Sequence, residues 1–156
     1  MNGSKGFFMI LPIILLLALA VLAAGCATQA EQGKNPGKTI SGSVERVEVY
    51  HFHATRQCYS CIVLGEYAQE TMTTYFAPEI QSGKVVFAHV NVDLPENKEV
   101  FERYRPTGSS LWIGVIDGDG FHKEQIIKVW YKLGDKDEYM TYLKEVIEKR
   151  LAGDFT

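Results

Sequence analysis

Two cysteines, Cys58 and Cys61, close the run Val47-Glu-Val-Tyr-His-Phe-His-Ala-Thr-Arg-Gln-Cys-Tyr-Ser-Cys61, at the point where an apolar strand pattern gives way to a helical one. A Cys-x-x-Cys pair at that junction suits thiol–disulfide chemistry. A helix opening at Cys58 aims unpaired backbone N–H groups at the sulfur and stabilises its thiolate. Cys61, one turn later, faces inward. Cys58 is therefore expected to attack, and Cys61 to resolve the mixed disulfide. Arg56 would add a positive charge beside the attacking thiol. The bland alternative is a static structural disulfide. His51 and His53 lie two residues apart in a period-2 segment, so their side chains leave one face of the strand. Their simplest role is that of neutral, hydrogen-bonded strand residues. The functional role makes His53 a proton acceptor or charge partner for a cysteine, which an imidazole near neutral pH permits.

Several elements must hold these groups. Val44 to His53 reads as a strand with Val47 and Val49 on one face and Tyr50 and Phe52 on the other, the pattern of a central strand covered on both sides. Cys58 to Phe76 carries a helical stripe of Cys61, Leu64, Ala68, Met72, Tyr75 and Phe76, stopped by Pro78. Val85 to Val92 is a second strand, and the intervening helix allows it to run parallel to the first. Asp93 is expected to cap a helix that has Pro95 early and buries Val100, Phe101 and Tyr104. Leu111 to Ile116 is the third strand. Asp117-Gly-Asp-Gly120 marks a tight turn, so Gln125 to Lys132 is expected to return antiparallel, with Lys128 and Lys132 suited to an edge. Asp135 to Glu138 forms a capping box for a last helix bearing Tyr139, Tyr142, Leu143, Val146, Ile147 and Leu151, ended by Gly153.

The remaining motifs carry less chemistry. Asp117-Gly-Asp119 starts like a calcium loop, but Lys128 stands where a bidentate Glu would close it, which excludes calcium. Trp112 and Trp130 fall inside strand patterns and read as packing residues. His89 and His122 stand alone in sequence and carry no functional case.

The chain has 156 residues, 46% of them apolar and 22% charged, which describes one folded domain with an N-terminal appendage. Lys5 is followed by a charge-free apolar stretch, Phe7 to Gly25, ending at Cys26. Residues 1–25 resemble a bacterial or archaeal lipoprotein signal, with Ala23 where the third residue before the cysteine is usually Leu. Cys26 would then carry the lipid, and each buried CH₂ adds about 0.8 kcal/mol of attachment. An uncleaved membrane anchor is the alternative, because the stretch approaches the roughly 20 residues that span a bilayer. Either way the domain is expected outside the cytoplasm and tethered to the membrane. Lipidation also leaves a single cysteine pair where three cysteines would strand one. Residues 26–43 are polar and Gly-rich, as in a flexible tether, and 44–153 form the domain. The formal charge is −3; without Lys5, 15 basic residues face 19 acidic ones, which argues against nucleic acid as a partner.

The order βαβαββα, with Cys-x-x-Cys opening the first helix, resembles the thioredoxin-like superfamily over about Val44 to Leu151. His-Phe-His-Ala, residues 51–54, stands where thioredoxins have Asp-Phe-Trp-Ala, and Val90-Asn-Val-Asp93 is similar to their strand ending in Asp. The resemblance implies an α/β fold, a central mixed sheet flanked by helices. It also implies thiol–disulfide oxidoreduction by Cys58 and Cys61 with a protein redox partner, and no cofactor beyond the redox-active disulfide. It places His51 near the family's buried carboxylate and His53 near its tryptophan. Thioredoxins present a cis-proline opposite the cysteines that positions substrate backbone and keeps metal off the thiols; here Gly108-Ser-Ser-Leu111 puts Ser110 in its place. That vacancy permits a second reading, a Zn or Cu site formed by Cys58, Cys61 and His53 or His51, although the spacing matches no known finger. Within the superfamily, Val49 to Cys61 and the loop from Tyr104 to Leu111 are similar to exported proteins of arsenic-resistance operons, named as a subunit of a nitrophenyl-compound nitroreductase (ArsF-type). That resemblance implies electron relay toward nitroaromatic arsenicals. No residue displays a nitroarene pocket or a flavin site, so only the cysteine pair is carried over.

Overall fold

The computed structural model describes residues 43–156. The signal-like segment 1–25, Cys26 and all but the last residue of the tether lie outside the described residues. Four strands, β1 (Arg46–His53), β2 (Val85–Asn91), β3 (Ser110–Asp117) and β4 (Gly120–Gln125), form one sheet in the order β2-β1-β3-β4. β1 pairs parallel with β2 and antiparallel with β3, and β4 pairs antiparallel with β3. Helices cover both faces, so the molecule has the mixed α/β arrangement of thioredoxin-like folds.

β1 is central because its side chains are apolar in both directions, and every residue from Val47 to Phe52 is buried. On the Val47/Val49 face lie α1 (Tyr59–Tyr75), through Leu64, Ala68 and Met72, and the C-terminal helix, through Tyr139, Leu143 and Ile147. Fourfold spacing puts each trio on one stripe, and each fully buried aliphatic side chain contributes about 1.5–3 kcal/mol. On the Tyr50/Phe52 face, Tyr104 and Val90 complete a second cluster. Two glycines allow the closest approaches. A Cβ on Gly65 would overlap Nδ1 of His51, and one on Gly114 would overlap the Tyr104 hydroxyl.

Helix α1 ends at Tyr75, but Pro78 does not simply stop it. Pro78 sits in the first turn of a short second helix, α2 (Ala77–Gln81), where its missing N–H is no loss. Tyr75, expected in the buried stripe, is exposed. Asp93 does not cap a helix. Leu94 precedes a 3₁₀ turn (Pro95–Asn97), and the Asp93 carboxylate instead accepts the N–H of Thr55 at 2.8 Å. Helix α3 (Lys98–Tyr104) buries only Tyr104 of the expected trio. Val100 is half-buried and Phe101 36% exposed, because Arg105, at φ 53°, ends the helix after seven residues.

The largest correction concerns the returning strand, which occupies Gly120–Gln125 rather than Gln125 to Lys132. Asp117 Oδ1 accepts the N–H groups of Asp119 (2.7 Å) and Gly120 (3.1 Å), and Gly120 adopts φ 125°. The chain thus reverses within two residues, and pairing begins at once. The true edge strand is polar because it faces water. The apolar run after it leaves the sheet as a 3₁₀ segment (Ile127–Lys132) carrying Lys128, Trp130 and Lys132. Ile126 and Val129, three residues apart, enter the core from it. Asp135 caps the last helix, α4 (Lys136–Leu151), by accepting the Glu138 N–H at 3.0 Å, and Gly153 at φ 75° follows its end.

Candidate functional site

Cys58 is the N-cap residue of α1. Its extended backbone (φ −77°, ψ 162°) turns the side chain back over the first turn, and Sγ accepts the Cys61 N–H at 3.1 Å. Helix start and sulfur are thus matched as the sequence implies, and the positive end of the helix points at Cys58. Cys58 and Cys61 are joined in a disulfide, with Cα atoms 5.1 Å apart. Cys58 is exposed and Cys61 half-buried. Tyr59 (83% exposed) and Ile62 (42%) are sequence neighbours of the pair, so exposed apolar side chains adjoin it.

The segment leading to Cys58 is tied to the end of β2. Val92 N–H donates to the His53 carbonyl at 2.8 Å, and Thr55 is bonded to both Asn91 and Asp93. The Thr55 backbone N–H, with its side chain, holds the exposed Asp93 carboxyl below the usual carboxylate range. Arg56 is exposed and makes no hydrogen bond or ion pair with the described residues.

Against the second turn of α1 lies His51, 1% exposed, packed where Gly65 lacks a side chain. His53 stacks on it with centroids 5.2 Å apart and planes 24° apart, as their shared strand face requires. The His53 Nδ1 donates to the Ala54 carbonyl at 3.0 Å. A third ring joins them. His89 stands opposite His51 in the parallel register of β1 and β2, and their Nδ1 atoms are 3.0 Å apart. His89 Nε2 lies 2.8 Å from Gln69 Oε1 on α1. His51 Nε2 is buried with no hydrogen-bond partner. Burial, followed by the neighbouring His89 and His53, pushes the His51 pKa down to about 4, while the Cys61 backbone pulls weakly the other way. Burial, then His53, lowers that of His89 as well.

Ser110 is buried at the start of β3, opposite Phe52. Its hydroxyl donates to the Gly108 carbonyl at 2.9 Å and accepts the Trp112 indole N–H at 3.0 Å, so its hydrogen bonds stay within its own turn. Among the described residues no group of three or more His, Cys, Asp or Glu side chains is arranged to hold a metal ion, and no helix is long and apolar enough to cross a membrane.

Residue-by-residue reading missed His89, Gln69 and Gly65. Laying the second strand beside the first in parallel register would have set His89 next to His51.

No family model and no curated protein matches the chain. Among solved structures it is similar to a thioredoxin from Thermus thermophilus, determined in solution, at 20% identity over 67% of this chain and 76% of that one, with a TM-score of 0.42. The fold assignment stands on the strand order and pairing directions given above.

Proposed function

We propose that this protein is a thiol–disulfide oxidoreductase of the thioredoxin-like type that exchanges electrons with a protein partner through Cys58 and Cys61. One observation carries the reading: an exposed half-disulfide caps a helix, and a buried imidazole with an unpartnered nitrogen packs against the same helix at Gly65. In the reduced form the Cys58 thiolate, favoured by the N–H groups of the first turn, attacks a partner disulfide and releases one partner thiolate. Cys61 then loses its proton to Nε2 of His51 and attacks Cys58 Sγ. The bond to the partner breaks, and two electrons have passed from the two cysteines to the partner. The opposite direction runs the same steps in reverse. The apolar rim of Tyr59 and Ile62 gives an unfolded or extended partner segment a surface to lie on.

The location and the circuit belong to the same proposal. A lipid on Cys26 tethers the domain outside the cytoplasm, supported by the apolar stretch that ends there. The electrons go to a reductase acting on nitroaromatic compounds or arsenicals, supported by the likeness of Val49 to Cys61 to that subfamily.

The exchange is tested with purified full-length protein and a disulfide-bonded substrate such as insulin. Cys58→Ser is expected to abolish exchange, and Cys61→Ser to accumulate the mixed disulfide. Unchanged exchange in Cys58→Ser would remove the mechanism. The circuit is tested by deletion in the source cell: retained nitroaromatic reduction would remove that part alone.

A further inference from the structure

We infer that His51 and His89 form one proton-holding pair for the Cys61 thiol and that Gln69 sets its polarity, which makes His89 and Gln69 positioning residues for the exchange proposed above, the reading on which this inference rests. The argument follows the hydrogen-bond chain inward from the surface. Gln69 Oε1 can only accept, so the His89 nitrogen 2.8 Å away, Nε2, carries a proton. In a neutral His89 ring the other nitrogen, Nδ1, is then a bare acceptor. The facing Nδ1 of His51, 3.0 Å away, must therefore donate. That leaves His51 Nε2 with a free lone pair, and it is this atom that lies buried without a partner. With its oxygen turned to His89, the exposed amide on α1 thus selects, through two rings, the nitrogen of His51 that is free to take a proton.

Both rings must be neutral for this chain of inference, and their lowered proton affinities keep them so near pH 7. The groups that bear on the pair are His53, stacked from β1, and Cys61 from α1, with Asp93 acting on His53 from beyond the end of β2. No carboxylate or cation hydrogen-bonds any of the three rings among the described residues.

The pair also removes a difficulty in the exchange. A positive charge left on the buried His51 would be costly. When the Cys61 S–H bond breaks and a proton joins His51 Nε2, the Nδ1 proton of His51 can pass to His89 Nδ1. The charge then rests on His89, an exposed residue, whose Nε2–H still donates to Gln69. Both hydrogen bonds survive, the one between the rings with its donor reversed. The Cys61 thiolate forms the bond to Cys58 Sγ, the partner leaves as a thiolate with the electron pair, and the partner or water takes the proton from the pair.

The test uses the full chain labelled with ¹⁵N at histidine. In the oxidised protein at pH 7, long-range ¹H–¹⁵N spectra are expected to show His51 protonated at Nδ1; protonation at Nε2 would overturn the inference. Stopped-flow resolution of a preformed mixed disulfide gives the second readout. Gln69→Glu, at an exposed position, is expected to move the acid limb of the pH profile up by about one unit, because a carboxylate favours the charged pair. Gln69→Leu and His89→Leu are expected to mix the His51 tautomers and slow resolution about tenfold. His89→Asn, which keeps an acceptor near Nδ1, is expected to recover most of that rate. Should all four variants keep the wild-type profile while Cys58→Ser still abolishes exchange, the pair is structural and this inference fails alone. Exchange that survives in Cys58→Ser defeats the redox reading itself.

Discussion

The two faces of β1 bury two titratable groups three residues apart, and they treat them in opposite ways. On one face Glu48, 2% exposed, accepts from Arg46 at 2.9 Å, from Arg103 at 2.6 Å and from the Tyr104 hydroxyl at 2.9 Å. Burial first, and then Glu48, pushes the Tyr104 hydroxyl far above its usual range, so it remains a donor. Both Glu48 oxygens are thus answered, and the one orphan among these groups is Nε of Arg46, on a residue whose guanidinium already binds the carboxylate. On the other face His51 is just as buried, yet one nitrogen meets only another histidine and the other makes no hydrogen bond. Buried polar groups in folded proteins are nearly always satisfied, so an orphan next to a reactive pair is the exception that marks chemistry. The closed network specifies packing; the open one keeps capacity for a proton.

The strongest way to separate the faces is to open the closed one. Arg103→Leu leaves the Glu48 carboxylate short of a charged donor, and the expected loss is about 3 kcal/mol of stability in urea denaturation. Exchange per folded molecule is expected to stay at the wild-type rate. A rate that fell with stability held constant would mean that the faces are coupled.

Acid sharpens the contrast from the other side. The folded pKa of His51, about 4, lies below the 6.5 of a free imidazole, so the unfolded chain binds more protons between these values. Stability is therefore complete above about pH 6.5, falls as pH drops, and levels off below about pH 4. The loss from this ring is at most about 3 kcal/mol. His89, shifted in the same direction, adds to it. Denaturation curves for wild type and His51→Leu across that range isolate the contribution, and parallel pH dependences would show that His51 is not the group responsible.

Each face also has a glycine under a ring, which allows a matched pair of changes. Gly65→Ala drives a methyl into His51, and Gly114→Ala drives one into Tyr104. Each is expected to cost about 1–3 kcal/mol, the usual penalty of overpacking. Only Gly65→Ala is expected to slow exchange, since it alone displaces the imidazole under the cysteines. Equal rates in the two variants would detach His51 from the reaction.

Which parts of this were readable from sequence follows from how local each signal is. The cysteines, the helix start at Cys58 and the central strand announced themselves through adjacent residues and short periods. The shared face of His51 and His53 followed from strand periodicity alone. His89 and Gln69 did not, because their significance arises only when β2 is laid beside β1 and α1 is folded across it. Glu48 escaped notice because a single carboxylate in a strand looks solvent-facing until Arg103 and Tyr104 arrive from more than fifty residues away. The fourth strand was misplaced because β-branched residues from Ile126 onward look more like a strand than Phe121-His-Lys-Glu-Gln125 does. An edge strand can be polar, however, while an apolar run can plug the end of a core without pairing.

Ser110 provides the smallest and most pointed comparison, since the sequence assigned it a place beside the thiols and its hydrogen bonds lie elsewhere. Its hydroxyl satisfies the Trp112 N–H and the Gly108 carbonyl, so Ser110→Ala leaves a partly buried indole N–H without its acceptor. The expected cost is about 1 kcal/mol in denaturation, with exchange unchanged. The reasoning is the same as for Glu48, although Ser110 finds its partners within its own turn and Glu48 finds two of its three far along the chain: a polar group already engaged by fixed partners has little left to offer a reaction. A tenfold fall in mixed-disulfide resolution in Ser110→Ala, with stability nearly intact, would show that the hydroxyl reaches the partner after all and that a closed network does not by itself exclude a part in the chemistry.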